Sequence, residues 1–150
     1  MLSKGTIHDT HPTIFINVEQ VDIGRNTPIT LFDVGGQCNI RQHWRHYYDR
    51  TSFLAFVIDG SKPERFQEAK EELHRLDEDS HINDDIPRVI LCNKKDLSNF
   101  VPASEVSQAL GLSELKHHWD VIETSGTKKE HVKEFYDWMD LNFQILFFHS

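Results

Sequence analysis

Short apolar runs alternate with amphipathic stretches along the 150 residues of the chain. The runs at 29–32, 53–58 and 89–92 are continuous, which is typical of strands covered on both faces in a parallel sheet. Other apolar residues recur at helical spacing: Phe66, Ala69, Leu73 and Leu76, and later Val132, Phe135, Tyr136, Met139 and Phe143. The pattern predicts an α/β fold, a parallel sheet flanked by helices, in a single domain spanning residues 1–150.

Local signals add three further elements. Residues 14–33 predict a hairpin, because two strand-like segments are separated by a short polar turn. A helix is predicted between Pro102 and Gly111, since proline favours the start of a helix and glycine its end. The charged run at 77–85 predicts a solvated loop.

Composition and charge exclude several classes of protein. The net charge of −8 argues against a nucleic-acid partner, because the phosphate backbone would be repelled. No apolar run approaches the roughly 20 residues of a membrane span. The two cysteines cannot form a disulfide framework and suit a reducing compartment. The histidine pairs His43/His46 and His117/His118 have no cysteine or carboxylate at ligand spacing, so we do not expect structural zinc.

One polar motif follows directly after an apolar run: Asp33-Val34-Gly35-Gly36-Gln37. An acid at a strand end can hold Mg²⁺ through a water, and a glycine without Cβ lets its backbone N–H approach a phosphate. A glutamine at this place can orient a water for in-line attack. We interpret the motif as a phosphate and magnesium site; the alternative is an ordinary Asp-Gly turn.

Two more motifs follow apolar strands. In Asn93-Lys94-Lys95-Asp96, the asparagine can bond the edge of a base, and the aspartate can accept both N–H donors of guanine N1 and N2. Adenine lacks that pair of donors, so the motif favours guanine; the alternative is a solvated charged turn. Ser125-Gly126-Thr127 is either a simple strand-to-helix turn or a loop whose Gly126 N–H donates to guanine O6.

With these three motifs the chain resembles small GTPases of the Arf and Arf-like family, from about Gly5 to Leu141. Further matching stretches are Pro12-Thr13-Ile14, Asn17-Val18-Glu19, Ile40-Arg41, Trp44-Arg45-His46-Tyr47, Glu71-Glu72-Leu73 and Leu110-Gly111-Leu112. The resemblance implies the P-loop NTPase type of parallel sheet. It also implies GTP and GDP as ligands, Mg²⁺ as cofactor, and effector or regulator proteins as partners.

The resemblance assigns the phosphate end of the site by position. Thr13 and Asp33 match the residues that hold Mg²⁺, Gly36 the donor to the γ-phosphate, and Gln37 the catalytic residue that positions the attacking water. The family's first strand and its loop Gly-x-x-x-x-Gly-Lys-Ser/Thr have no counterpart in this sequence. Because that loop supplies most phosphate contacts, we expect GTP hydrolysis to be slow or absent in this chain.

The base end and the partner surface are assigned in the same way. Asn93, Lys94 and Asp96 match the guanine-specificity residues, and the Ser125, Gly126 and Thr127 positions match the short loop behind the base. The implied partner surface comprises Ile16, Phe32, Ile40, Trp44 and Tyr47. Of these, Ile40, Trp44 and Tyr47 recur at helical spacing, so core packing is the alternative. The family's aromatic triad corresponds here to Ile16, Phe32 and Tyr47, with two of its three positions altered.

The resemblance implies a guanine-nucleotide-dependent switch in vesicle or membrane trafficking, located in the cytoplasm or peripherally at the Golgi or other endomembranes. Leu2 stands where Arf proteins carry the myristoylated glycine. The alternative function is a non-enzymatic interaction module that no longer binds nucleotide tightly. We also expect low stability, because strands that flank a missing strand carry unpaired backbone groups.

Overall fold

The computed structural model describes residues 16–22, 28–34, 48, 51–128 and 133–148, and the side chains of 48, 51–128 and 133–142. Contacts divide the chain into two compact units, residues 1–50 and 51–150. The predicted single domain spans both units and stays a prediction.

The first unit contains the predicted hairpin. Strand β1 (Ile16–Asp22) pairs antiparallel with β2 (Pro28–Val34), so that Ile16 lies opposite Val34. Pro28 is the first residue of its strand, a position at which a missing backbone N–H is tolerated. The hairpin prediction is confirmed, whereas its turn at 23–27 lies outside the described residues.

The second unit is a parallel sheet with helical connections. Its three described strands have the order β3 (Leu54–Asp59), β4 (Arg88–Asn93) and β5 (Asp120–Glu123). The helices are α1 (Phe66–Asp77), α2 (Ala103–Ala109) and α3 (Lys133–Phe148). Each parallel pair is joined by a crossover that contains a helix, as such pairs require. The α/β fold class is therefore confirmed.

The core of this unit lies around the middle strand. The first five residues of β4 are buried, and Leu73 of α1, Val106 of α2 and Met139 of α3 are almost fully removed from water. In contrast, Val57 on β3 is 60% exposed. Within the described sheet β3 is an edge strand, because it pairs only with β4.

Helix α2 has the ends that the sequence predicts. Pro102 immediately precedes it, and Gly111 follows with φ of +63°, the left-handed conformation that glycine adopts without strain. Nε2 of His74, on α1, lies 2.8 Å from the carbonyl oxygen of Leu110. The end of α2 is thus held against α1.

The charged run differs from its prediction at Asp77 and Ile82, which are both buried. Six of its residues are exposed, but Asp77 is only 2% exposed, because donors from a distant segment surround its carboxylate. His117 and His118 also have carboxylate neighbours, Asp77 and Asp84 for the first and Asp120 for the second. Among the described residues no group of three or more such side chains is arranged to hold a metal. No helix in the described part combines the length and apolar character needed to cross a bilayer.

Candidate functional site: a base-binding edge

The predicted base-binding residues lie at the carboxyl ends of two neighbouring strands. Asn93 is the last residue of β4, and Ser125 follows β5 at a distance of two residues. Strands β4 and β5 run parallel, with Cys92 opposite Glu123, so the loops that leave them lie side by side. The structure therefore brings the Asn-Lys-x-Asp and Ser-Gly-Thr motifs together.

A short hydrogen bond joins the two motifs. The hydroxyl of Ser125 donates to Oδ1 of Asp96 at 2.6 Å, and Ser125 is fully buried. Since this proton is used, the hydroxyl of Thr127 at 2.9 Å and its backbone N–H at 3.4 Å both donate to Ser125 Oγ. The hydrogen bond from Ser125 lowers the pKa of Asp96. The Asp96 carboxylate is consequently ionised at neutral pH and fixed in direction.

The asparagine of the first motif is held from two sides. Thr124 Oγ1 donates to Asn93 Oδ1 at 3.3 Å, which makes Oδ1 the acceptor and Nδ2 the donor of that amide. The backbone N–H of Gly60 donates to the carbonyl oxygen of Asn93 at 2.9 Å. A Cβ on Gly60 would lie 2.4 Å from Phe100 Cε2, so a larger residue here would force the Phe100 ring to move.

The residue after Asn93 has a strained backbone. Lys94 has φ of +75°, in the left-handed region that non-glycine residues rarely adopt. The N–H of Leu97 donates to the carbonyl oxygen of Lys94 at 3.0 Å, and the N–H of Lys95 donates to that of Thr124 at 3.0 Å. Such strain persists only where the surroundings enforce it, and it is frequent at ligand sites.

Comparison with known proteins shows the family of the chain. The model of the ADP-ribosylation factor family matches residues 1–143. The chain belongs to the ADP-ribosylation factor family. Among solved structures it is similar to the Arl6 BBS3 small GTPase from Trypanosoma brucei with a bound nucleotide analogue, GppNp, at 28% sequence identity and a TM-score of 0.81. The match covers 91% of this chain and 83% of that chain. The family resemblance predicted from the motifs is confirmed.

Sequence reasoning missed one group at the base end of this Arf-family chain. The Glu123 carboxylate contacts two other segments: Oε2 lies 2.9 Å from Lys95 Nζ, and Oε1 accepts the Ala103 N–H at 2.9 Å. The hydrogen bond from Ala103, followed by that from Lys95, lowers the pKa of Glu123. Its only sequence signal was its place at the end of an apolar strand, two residues before Ser125.

The structure describes only part of the predicted phosphate end and of the predicted partner surface. The structure places Asp33 on β2 opposite Asn17, Phe32 opposite Val18, and Ile16 at the start of β1. By strand alternation, Ile16 and Phe32 belong to one face of the hairpin and Asp33 to the other. The remaining predicted residues lie outside the described residues: Thr13, Gly36, Gln37, Ile40, Trp44 and Tyr47.

Proposed function

We propose that this Arf-family chain binds guanine nucleotide with its base at the carboxyl ends of β4 and β5. The observation that carries the proposal is the Asp96 carboxylate, which is oriented by a 2.6 Å hydrogen bond from the fully buried Ser125. An ionised carboxylate can accept both N1–H and N2–H of guanine, whereas adenine presents no such pair. The fixed Asn93 amide and the Gly126 N–H would contact the other polar edges of the base.

The phosphate end completes the proposal by family resemblance. Thr13 and Asp33 would hold Mg²⁺, since hydroxyl and carboxylate oxygens are the ligands that this ion prefers. When bound, Mg²⁺ would neutralise phosphate charge. Gly36 would donate its N–H to the terminal phosphate, and Gln37 would orient a water beside it. GTP and GDP forms would then present different surfaces to effector or regulator proteins, in cytoplasmic trafficking at Golgi or other endomembranes.

Guanine recognition is tested by competition binding. Unlabelled nucleotides displace a fluorescent guanosine diphosphate from the purified chain. We expect GDP to displace the probe at concentrations at least tenfold below those of ADP. Asp96→Asn replaces an acceptor by a donor and should weaken GDP binding about tenfold to a hundredfold. Asp85→Asn removes an exposed carboxylate at the opposite end of β4 and serves as the matched control. Equal displacement by ADP and GDP would refute guanine recognition.

The second candidate is a non-enzymatic interaction module. The two candidates differ in how partner binding responds to nucleotide. A switch binds a partner differently with GTP and GDP, whereas a module binds it equally with either nucleotide or with none.

A further inference from the structure

We propose that Glu123 and Lys95 form a positioning bridge that holds the guanine-binding loop, residues 93–97, in its base-binding conformation before any nucleotide arrives. This inference rests on the proposed function and deepens it. Lys95 occupies the unspecified position of Asn-Lys-x-Asp, and Glu123 lies two residues before Ser125. Neither residue is among those proposed to contact the base. Both residues would affect base binding by holding Asp96 in position.

The bridge connects three segments through one carboxylate. Glu123 is the last residue of β5; its Oε2 pairs with Lys95 Nζ, and its Oε1 accepts the N–H of Ala103, the first residue of α2. Lys95 is also tied by its backbone, because its N–H donates to the carbonyl oxygen of Thr124. The side chain and the backbone of Lys95 are therefore both anchored to consecutive residues at the end of β5.

The anchored residue lies between the strained position and the base-binding acid. Lys94, with φ of +75°, precedes Lys95, and Asp96 follows it. A strained non-glycine turn relaxes unless neighbouring contacts hold it. Relaxation at Lys94 would turn Asp96 away from the Ser125 hydroxyl and from the base edge. Fixing Lys95 at two points prevents that movement.

The bridge is expected to affect geometry more than overall stability. The side chains of Lys95 and Glu123 are 42% and 26% exposed, and water and salt weaken such pairs. Loss of the bridge should therefore leave the chain folded while it loosens the loop. This separates a positioning role from a purely structural one.

The first measurement is amide hydrogen exchange on the full chain without nucleotide. In Lys95→Met, the Leu97 amide, which closes the strained turn, should exchange at least fivefold faster. The Ala103 amide should keep its rate, because Glu123 remains its acceptor. Lys95→Arg preserves the charge and should restore the Leu97 rate. Lys116→Met removes an exposed lysine paired with Asp84 at the other end of the sheet and should change neither rate.

The second measurement compares GDP with inosine diphosphate, which lacks the N2 amine, well below the melting temperature of every variant. Because Asp96 must face N1 and N2 together, Lys95→Met and Glu123→Gln should reduce the preference for GDP about fivefold, whereas Lys95→Arg and Lys116→Met should retain it.

Unchanged preference and unchanged Leu97 exchange in Lys95→Met would overturn the inference. If the unmodified chain does not distinguish GDP from ADP, the proposed function fails instead. The exchange of Leu97 then decides the bridge alone, with faster exchange supporting it and unchanged exchange overturning it.

Discussion

Removal of the Asp77 carboxylate should strongly destabilise residues 51–150. Asp77 is the last residue of α1, and its buried carboxylate accepts hydrogen bonds from the segment that leads into β5. On Oδ2 the donors are the N–H groups of Lys116 at 2.6 Å and His117 at 3.4 Å; on Oδ1 they are Trp119 Nε1 at 2.8 Å and His117 Nδ1 at 3.0 Å. Asp77→Ala would leave these donors without their acceptor.

The size of the effect follows from burial. Trp119 is 5% exposed, so its indole N–H cannot turn to water, and an unsatisfied buried donor costs about 1–3 kcal/mol. With a second donor lost at Lys116, we expect Asp77→Ala to lower the free energy of unfolding by about 2–5 kcal/mol. Asp77→Asn should lower it less, by about 1–3 kcal/mol, because either orientation of the amide satisfies one pair of donors and opposes the other with its NH₂ group.

Urea denaturation of the full chain, followed by circular dichroism, measures both changes. Asp84→Asn is the control, since Asp84 accepts from Lys116 Nζ and His117 Nε2 but its side chain is 65% exposed. Its unfolding midpoint should stay close to that of the unmodified chain. If Asp77→Ala unfolds within 0.5 kcal/mol of the unmodified chain, the assigned hydrogen bonds do not stabilise the fold in the way argued, given that losses of ~1 kcal/mol are typical of a single bond.

The same carboxylate predicts a dependence on pH. Burial raises the pKa of Asp77, but the hydrogen bonds from Trp119, Lys116 and His117 together exceed that effect, and the net shift is downward. A depressed folded pKa means that the stabilisation is fully present above the unfolded value of about 3.9 and is lost as the pH falls through the folded pKa. The stability difference between Asp77→Ala and the unmodified chain should therefore shrink below about pH 4.

Two further outcomes are expected from the described residues. Gly60→Ala would place its Cβ 2.4 Å from Phe100 and 3.1 Å from the carbonyl oxygen of Asn93. It should therefore destabilise the fold by about 1–3 kcal/mol and weaken GDP binding. An unchanged free energy of unfolding together with an unchanged GDP affinity would contradict the packing described at this strand end. Burial, with a smaller effect of the Glu123 charge, raises the pKa of Cys92 to about 12. In a Cys38→Ser chain, a thiol reagent at pH 8 should modify Cys92 only as fast as the protein unfolds, and rapid modification under native conditions would show that the thiol is accessible.

The strands and helices could be predicted well because their signals are local. The apolar run at 53–58 became β3, and the helical spacing from Phe66 to Leu76 became α1 with the expected buried face. The burial of Asp77 could not be predicted in this way. A carboxylate at the start of a charged run is normally solvated, and the donors that bury this one come from residues about 40 positions later in the chain. Tertiary contacts of that kind leave no periodic signal.

The candidate site also contains residues that could be predicted from the sequence and residues that could not. Asn93, Asp96 and Ser125 could be predicted, because their chemistry fits a base and they follow apolar strands. Lys95 and Glu123 could not, since Lys95 occupies the unspecified position of Asn-Lys-x-Asp and Glu123 lies two residues before the Ser-Gly-Thr motif. Their contacts form only because the parallel pairing of β4 and β5 brings the two loops together. Motifs therefore indicate candidate ligand contacts more readily than the tertiary contacts around them.

The two halves of the proposed nucleotide site differ in what supports them. Every contact described at the base end, from Gly60 to Thr127, lies within the unit of residues 51–150. The predicted magnesium and phosphate residues, from Thr13 to Gln37, belong to the unit of residues 1–50. Because the Asp96–Ser125 hydrogen bond and the Lys95–Glu123 ion pair each join residues of the second unit, the predicted base end can be formed within that unit. Guanine selectivity therefore tests the second unit by itself. A weak affinity that still distinguishes guanine from adenine would support base recognition and would attribute the missing affinity to the predicted phosphate end.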